Sequence, residues 1–345
     1  MNKPFFSIVI PTYNRSKNLV IAIKSVLRQN FNDYEIIISD NASTDDTEKI
    51  CKSFKNKRIK YFKNTTNIGI SRNIYKVIKF AYGNYVFLLG DDDFILKKDT
   101  LLNIFNIIKK NNYGVVRLKF IYHNNYEYLF SPYFKSEIGG SFKKNQNNIK
   151  LLEFFYSKAI FGFISGLIFK NIKNIKIQEI ETSQRSNLDI SGFWIKFLFP
   201  AAKLYGISIN YDDPIIAQWA NYNDPQFYNV ENGKLPEERI WSFIFQYLNK
   251  KEREIWKINE TNQMILLLPS IKYYSNNKNL FLFSKRMLET NKTLYKNYFF
   301  YLSLFIAFIM PKFLWRLIRT IFQHSQIVNE ENVNNEFKQF KKIIC

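Results

Sequence analysis

The sequence predicts an α/β fold, a mostly parallel sheet with helices on both faces, followed by a mainly helical C-terminal region. Three observations carry this. Short β-branched runs alternate with stretches of helical periodicity through the first half. One run, residues 85–89, is apolar throughout, as a strand covered on both faces requires. Beyond Pro214 the chain is poor in glycine and helical in pattern. Strands alternating with helices imply crossover connections, hence parallel strands between helical layers.

The elements follow in order. Residues 6–10 form a first strand, after which Leu19, Ile23, Val26 and Leu27 recur at helical spacing. A strand is expected over 35–39, a helix over 45–54, a strand over 59–62 and a helix over 70–82. The apolar strand 85–89 precedes a helix over 101–108. From Tyr113 the pattern loosens. Residues 115–122 suit a strand, a polar and aromatic stretch runs to about 148, and 151–160 suit a helix. A strand over 163–169, a helix over 193–204 and a last strand over 206–211 complete the domain. We therefore expect an α/β domain over 1–213, a helical extension over 214–293, an apolar and amphipathic basic segment over 294–330, and a polar tail over 331–345.

Composition narrows the function. With 46% hydrophobic residues the chain can bury a sizeable core. Its formal charge of +21 suits anionic lipid or nucleic acid, but the lysines are dispersed and form no basic arm, which argues against nucleic acid. Cys51 and Cys345 are far apart and form no CxxC pair, so neither a disulfide framework nor a zinc site is indicated, and a reducing, cytoplasmic setting fits. His123 and His324 are isolated, which disfavours Ser-His-Asp and Cys-His chemistry. A dinucleotide-binding dehydrogenase should show G-x-G-x-x-G after the first strand, and that place holds Pro11-Thr12-Tyr13-Asn14-Arg15.

Ligands of open α/β sheets bind beyond the carboxyl ends of the strands. Each of the first four strands ends in a polar loop: 11–15, 40–46, 64–73 and 90–93. In the last, Asp91, Asp92 and Asp93 repel one another unless a cation is near, and hard oxygen ligands suit Mg²⁺ or Mn²⁺ bridging to substrate phosphates. A solvated acidic turn capping the next helix is the plainer alternative. Asp40, directly after a strand, can accept from a nucleobase N–H or cap a helix. Gly69, Ser71 and Arg72 open a helix, a place that favours phosphate.

Four ordered segments, SIVIPTYNR, IIISDNASTDDT, NIGISRN and FLLGDDD, together resemble the N-terminal half of the family 2 glycosyltransferases, which have the GT-A fold. The resemblance covers residues 5–110 closely and about 160–215 loosely. It implies that Pro11, Thr12 and Tyr13 line a nucleoside pocket, that Asp40 holds the base and that Arg72 lies near the ribose or diphosphate. It implies that Asp91, Asp92 and Asp93 take the DXD role, with Asp93, and with it Asp91, on a Mn²⁺ or Mg²⁺ ion. Many members read Asp-x-Asp-Asp here, and Gly90 stands where the first Asp usually does; the variant is similar to an abequosyltransferase-like subgroup acting on bacterial surface polysaccharides. Residues 162–170 resemble the small-residue strand bordering the acceptor pocket. The family places a catalytic carboxylate shortly before a following helix; Asp189 is the candidate, with Glu181, Asp212 and Asp213 as rivals and helix capping as the alternative role. The implied activity is inverting transfer from a nucleotide-diphosphate sugar to a hydroxyl of a glycan or lipid-linked acceptor. An inactive nucleotide-sugar-binding relative is the competing possibility.

Residues 298–310 are apolar on all sides and too short to span a bilayer. After Pro311, Phe313, Leu314, Leu317, Ile318, Ile321 and Phe322 share one helical face, with Lys312, Arg316 and Arg319 on the other. This suits an interfacial helix drawn to anionic lipid, or a core helix. The expected location is peripheral, on the inner face of the cytoplasmic membrane.

Overall fold

The computed structural model describes residues 3–124, 127–130, 141–144, 147–157, 164–172, 195–218, 248–265, 268, 277–311 and 313–314. Two compact units divide the chain, the first running through Gln218 and the second formed by Trp219–Ile327.

In the first unit the strands are β1 (Phe6–Thr12), β2 (Tyr34–Asp40), β3 (Ile59–Lys63), β4 (Tyr85–Leu88), β5 (Phe94–Ile95), β6 (Val115–Asn124), β7 (Glu127–Phe130), β8 (Ser141–Phe142), β9 (Leu167–Lys170) and β10 (Ile207–Gln218). They make one sheet in the order β3-β2-β1-β4-β9-β6-β10-β5, with β7 added to β6 and β8 to β10. β3, β2, β1 and β4 are parallel. β9 runs antiparallel to both β4 and β6, and β10 is parallel to β6. The mostly parallel sheet expected from the sequence is present, but β9 inside it and β5, β7 and β8 at its margin pair antiparallel with their neighbours, which alternation alone does not foresee.

β1, β2 and β4 are buried at every position, which explains why their middles, Ile8–Ile10, Ile36–Ile38 and Val86–Leu88, read as continuous apolar runs rather than alternating ones. β3 is the edge, half-exposed, and carries Lys60 and Lys63, charges that discourage pairing with another chain. The helices α1 (Ser16–Leu27), α2 (Thr47–Ser53), α3 (Ile70–Phe80) and α4 (Thr100–Asn111) each bury a stripe. α1 buries Leu19, Ala22, Ile23 and Val26, and α4 buries Leu101, Ile104 and Ile108, at the three- and four-residue steps of one helical face. Burial of each such Leu, Ile or Val contributes about 1.5–3 kcal/mol, and Leu88→Ala, in the middle of the sheet, would cost about 2–5 kcal/mol.

The amino ends of β1 and β4 are closed by aromatic packing. Phe5 meets Phe105 at 4.7 Å and Tyr85 at 5.3 Å between ring centroids. Nearby, the buried Glu35 carboxylate accepts from Ser7 Oγ at 2.5 Å, Lys60 Nζ at 2.7 Å and the Tyr82 amide at 3.0 Å. That ties β1, β2, β3 and the segment before β4 together at the pole opposite the strand carboxyl ends. Burial alone would raise the Glu35 pKa, but the bonds from Lys60, Ser7 and Tyr82 outweigh it and hold the carboxyl below its ordinary value.

Two further helices, α5 (Asn148–Ser157) and α6 (Ile195–Tyr205), complete the described part of this unit. β10 is longer than the strand expected over 206–211. It continues past Pro214 with a break in register between Asn210 and Ile215, and a proline without an N–H is accommodated at such an irregularity. α2 starts two residues later than expected because Asp45 turns its carboxylate to other partners.

In the second unit, α7 (Lys250–Met264) opens on a capping box between Asn249 and Glu252, and α8 (Asn277–Thr290), a 3₁₀ turn (Lys292–Lys296) and α9 (Tyr298–Ile309) follow. Trp256, Leu280, Phe283, Met287, Leu294 and Phe300 are buried here. No helix among the described residues is long and apolar enough to cross a membrane.

Candidate active site

The parallel register places Thr12 opposite Asp40 at the carboxyl ends of β1 and β2, and Asp40 opposite Lys63 at the end of β3. β4 ends at Leu88, beside Val9. The four loops singled out in the sequence therefore share one edge of the sheet. Pro11 lies past the last β4 partner, where a missing N–H breaks no pairing with β4.

The loops are stitched to one another. The Asn14 amide donates to Ser43 Oγ at 2.9 Å, and Asn14 Oδ1 accepts from the Thr44 amide at 2.8 Å. Asp45 accepts from the Ser16 amide at 3.0 Å and the Thr47 amide at 3.1 Å, so one carboxylate caps the starts of α1 and α2. Burial pushes its carboxyl up, but the combined hydrogen bonds from Thr47 and Ser16 outweigh that and pull it down to about 2.

A second network holds the loop before α3. Ser39 Oγ donates to Asn73 Oδ1 at 2.7 Å, Asn73 Nδ2 to the Ser39 carbonyl at 2.8 Å, and Asn64 Nδ2 to Asn73 Oδ1 at 3.0 Å. Asn41 accepts from the Ile68 amide at 2.9 Å and donates to Asn67 Oδ1 at 2.7 Å. Gly69, with φ +82° and ψ 155°, turns the chain into α3 in a conformation reserved for glycine. The result is a rigid base from which Arg72 projects, exposed, on the first turn of α3.

Asp40 is fully buried. One carboxylate oxygen accepts from the Ser43 amide at 2.8 Å and the other from the Tyr61 hydroxyl at 2.5 Å. Burial, and then Asp40 itself, push the Tyr61 hydroxyl well above its ordinary range, so it stays a donor. Tyr61 was not among the sequence candidates; its partnership with Asp40 arises only where β3 flanks β2.

After β4 the chain turns through Gly90 into Asp91, Asp92 and Asp93. Asp91 and Asp93 are buried and Asp92 is half-buried. Arg15 Nη1 lies 3.4 Å from Asp91 Oδ1 and donates to Asp92 Oδ2. Burial, followed by repulsion from Asp92, pushes the Asp91 carboxyl up to about 6, while Arg15, the Thr12 hydroxyl and the Tyr13 amide pull against that rise. The Thr12 hydroxyl faces Asp91 without reaching full hydrogen-bond geometry. Tyr13 is exposed at the rim.

Asp93 turns the other way. Its Oδ2 accepts from Ser165 Oγ, which itself accepts from the Gly90 amide at 2.7 Å. The Ser165 carbonyl accepts from Arg117 Nη1 at 2.6 Å. A Cβ at Gly90 would sit 2.6 Å from Asp93 Oδ2 and 3.0 Å from Ser165 Oγ. Glycine therefore leaves room for the Asp93–Ser165 pair, and a side chain at this place would require the Asp93 carboxylate to swing away.

The sequence candidates are thus brought together except in two respects. Arg72 makes no ion pair with the Asp91–Asp93 cluster among the described residues. Asp189 and its rival Glu181 lie outside the described residues, as do Phe163 and Cys345. Arg15, and Ser165 within the 162–170 stretch, had no individual role in the sequence and are brought to the Asp91–Asp93 cluster by the fold. Cys51 is a buried thiol pushed up to about 12 by burial and then by Asp40, Asp45 and Glu48, which makes it inert as a nucleophile.

Residues 7–168 match the family model described as Glycosyl transferase family 2, and that span contains every motif of the site just built. The segment 7–168 belongs to glycosyltransferase family 2. Among similar curated proteins, an uncharacterized glycosyltransferase of Rickettsia conorii is 36% identical over 176 residues, 50% of this chain and 24% of that protein. The abequosyltransferase RfbV of Salmonella typhimurium is 43% identical over 100 residues, 28% of this chain and 30% of that protein. A GalNAc(5)-diNAcBac-PP-undecaprenol beta-1,3-glucosyltransferase of Campylobacter jejuni is 41% identical over 96 residues, 27% of this chain and 31% of that protein. The matched segments span less than a third of these relatives' length. Among solved structures, TarS 1–349 of S. aureus aligns at TM-score 0.49 and 19% identity, covering 85% of this chain and 90% of that one. The family 2 domain has the GT-A sheet, with its motifs on the carboxyl edge of β1, β2, β3 and β4.

Among the described residues no three His, Cys, Asp or Glu side chains are grouped to cage a metal ion. The donor set nevertheless suits a hard cation held partly by substrate. Mg²⁺ is commonly bound by one or two carboxylates together with phosphate oxygens, and the buried Asp91 already leans on a cation, Arg15.

Proposed function

We propose that this family 2 domain transfers a hexosyl or deoxyhexosyl group from a nucleotide-diphosphate sugar to a hydroxyl of a glycan or lipid-linked acceptor, with inversion, in the building of a bacterial surface polysaccharide. One observation supports it above all: the Asp91–Asp93 cluster, the Arg15 guanidinium and the loops bearing Thr12, Asp40 and Arg72 stand on one edge of the sheet. The names of the relatives, an abequosyltransferase and a glucosyltransferase with an undecaprenol-linked substrate, agree with it.

In this reading Pro11, Thr12 and Tyr13 border the nucleoside, and Asp40, oriented by Ser43 and Tyr61, receives the base. Arg72 and Arg15 face the diphosphate and stabilise the charge that develops as it departs. Asp91 and Asp93 would hold Mn²⁺ or Mg²⁺, which when bound neutralises charge on the leaving diphosphate. Asp92, still paired with Arg15, orients that guanidinium. Asp189 would accept the proton of the acceptor hydroxyl as it attacks the anomeric carbon from the side opposite the nucleotide. No covalent enzyme intermediate is needed. A cytoplasmic, membrane-peripheral location would give access to an acceptor carried on lipid.

A panel of UDP-, GDP-, dTDP- and CDP-sugars, offered with and without Mn²⁺ to wild type and to Asp93→Ala, tests this. The expected result is metal-dependent thermal stabilisation and slow hydrolysis of one donor, both lost in Asp93→Ala. Silence toward every donor, with Asp93→Ala indistinguishable from wild type, would point instead to an inactive relative.

A further inference from the structure

α9 has an arrangement unlike that of a helix at home on a water-soluble surface. Its twelve residues, Tyr298–Ile309, include a single polar side chain of hydroxyl-only character besides tyrosine, Ser303, and that hydroxyl donates to the Ile265 carbonyl at 2.7 Å. Only Phe300 and Ala307 are buried, and these two fall on one side of the helix. Tyr298, Leu302, Phe305 and Ile309, spaced by four, three and four residues, form a line on the opposite side. Tyr298 is 72% exposed, Phe305 62% and Ile309 61%. Phe299, also 72% exposed, and Ile306 flank the line on one side, with Tyr301 on the other. Phe313, just beyond the helix, is 70% exposed. A solvated helix would carry charges on such a face. A contiguous apolar patch of this kind marks an interaction surface.

The surrounding charge identifies the occupant. Lys292 and Lys296, at the N-terminal approach to α9, are exposed. Between Leu294 and Gln323 the sequence has no Asp or Glu, but has Lys296, Lys312, Arg316 and Arg319. Tyr295, 58% exposed, joins Tyr298 and Tyr301 near the basic end, and tyrosines favour the boundary between headgroups and acyl chains. A partner protein is equally able to cover an apolar face, but only a surface of uniform negative charge uses basic residues on both flanks with no acidic one between them. At twelve residues α9 is about 18 Å long, against a hydrocarbon core of about 30 Å, so it lies along the surface rather than crossing it.

We propose that the Tyr298–Leu302–Phe305–Ile309 face of α9 inserts into the interfacial layer of an anionic lipid bilayer, with Lys292 and Lys296 against the headgroups. This names the surface behind the membrane association proposed above. It falls within the 294–330 segment expected to meet a membrane, but on α9 instead of the amphipathic face expected over 313–322, nearly all of which lies outside the described residues. It requires nothing of the transfer chemistry.

The test is flotation of the full chain with vesicles of equal parts phosphatidylglycerol and phosphatidylethanolamine, and with phosphatidylcholine vesicles. Wild type should float with the anionic vesicles, remain unbound with phosphatidylcholine, and be released as salt is raised. Phe305→Ser with Ile309→Ser should lower anionic-vesicle partition more than about tenfold. Lys292→Glu with Lys296→Glu should lower it about tenfold while leaving the apolar face intact. Both variants should melt with wild type, since the replaced side chains are exposed. Failure of wild type to float with anionic vesicles would overturn the proposal, as would unchanged flotation of a folded serine variant. So would a dimer, seen by light scattering, that the serine variant dissolves without any flotation by wild type; the face would then join two copies of the chain. Donor hydrolysis in the same preparations, measured without lipid, keeps a failure of docking separate from a failure of the transferase reading.

Discussion

Arg15 and Asp91, from the loops after β1 and β4, meet with Nη1 and Oδ1 3.4 Å apart. The contact gives a buried carboxylate a cation in the absence of any ligand, and the same guanidinium binds Asp92. Arg15 is half-exposed, so the pair contributes about 0–1 kcal/mol to stability once solvent screening is included. Arg15→Ala should therefore leave the melting temperature nearly unchanged while donor turnover falls about 10²-fold, the loss typical of a missing charge-stabilising donor. Steady-state kinetics beside a thermal melt checks both halves, and a large drop in melting temperature would make Arg15 a structural residue.

Gly90→Ala tests the close packing behind Asp93. The new Cβ would stand 2.6 Å from Asp93 Oδ2, so that carboxylate must leave Ser165. Stability should fall by about 1 kcal/mol from the lost Ser165–Asp93 hydrogen bond. Metal-dependent donor binding should weaken at the same time, and more than in Ser165→Ala, which removes the hydrogen bond without crowding. Denaturant titration and donor-induced thermal shift read the two effects.

Asn73→Ala removes one side chain that serves Ser39 twice and Asn64 once. Buried donors and acceptors left without partners cost about 1–3 kcal/mol. Because the same network fixes the start of α3, the KM for donor should rise through a displaced Arg72. Urea unfolding with kinetics on the folded fraction separates these; unaltered KM would detach the network from donor binding.

Two loop positions should respond with opposite sign to changes of one methyl group. Gly69 sits at φ +82° with open space around its would-be Cβ, so Gly69→Ala should destabilise by about 1–3 kcal/mol through backbone strain alone. Ala42 sits at φ +67°, in the left-handed region, and Ala42→Gly should stabilise by up to about 1 kcal/mol. Melting temperatures of the two variants decide it.

Glu35 predicts an acid limb. Its pKa in the folded protein is held below that of an unfolded glutamate, about 4.3. The folded state thus binds fewer protons, and stability is fully present above the unfolded value and is lost as pH falls through the folded one. Thermal stability of wild type should drop below about pH 5. Glu35→Gln should be less stable at neutral pH and show a flatter decline in acid. A parallel decline in both proteins would assign the acid limb to other carboxylates.

Much of the molecule is legible in the chain alone, because apolar periodicity depends on neighbours a few residues apart. The runs Ile8–Ile10 in β1 and Tyr85–Leu88 in β4 are apolar for the same reason that these strands are central, coverage on both faces. The polar loops after the first four strands are legible too, since strand direction alone sends their ends to one edge. Tertiary structure decided what no local pattern encodes. The antiparallel placement of β9 brings Ser165 to Asp93, 72 residues away, and the pair so formed crowds the place where a Gly90 side chain would stand. The pairing of β3 beside β2 sets Tyr61 on Asp40, and the meeting of the β1 and β4 loops sets Arg15 on Asp91. Each is a contact between residues with no periodic relation in sequence. Their charges and burial are properties of the assembled edge, and only folding brings a buried carboxylate to its partner.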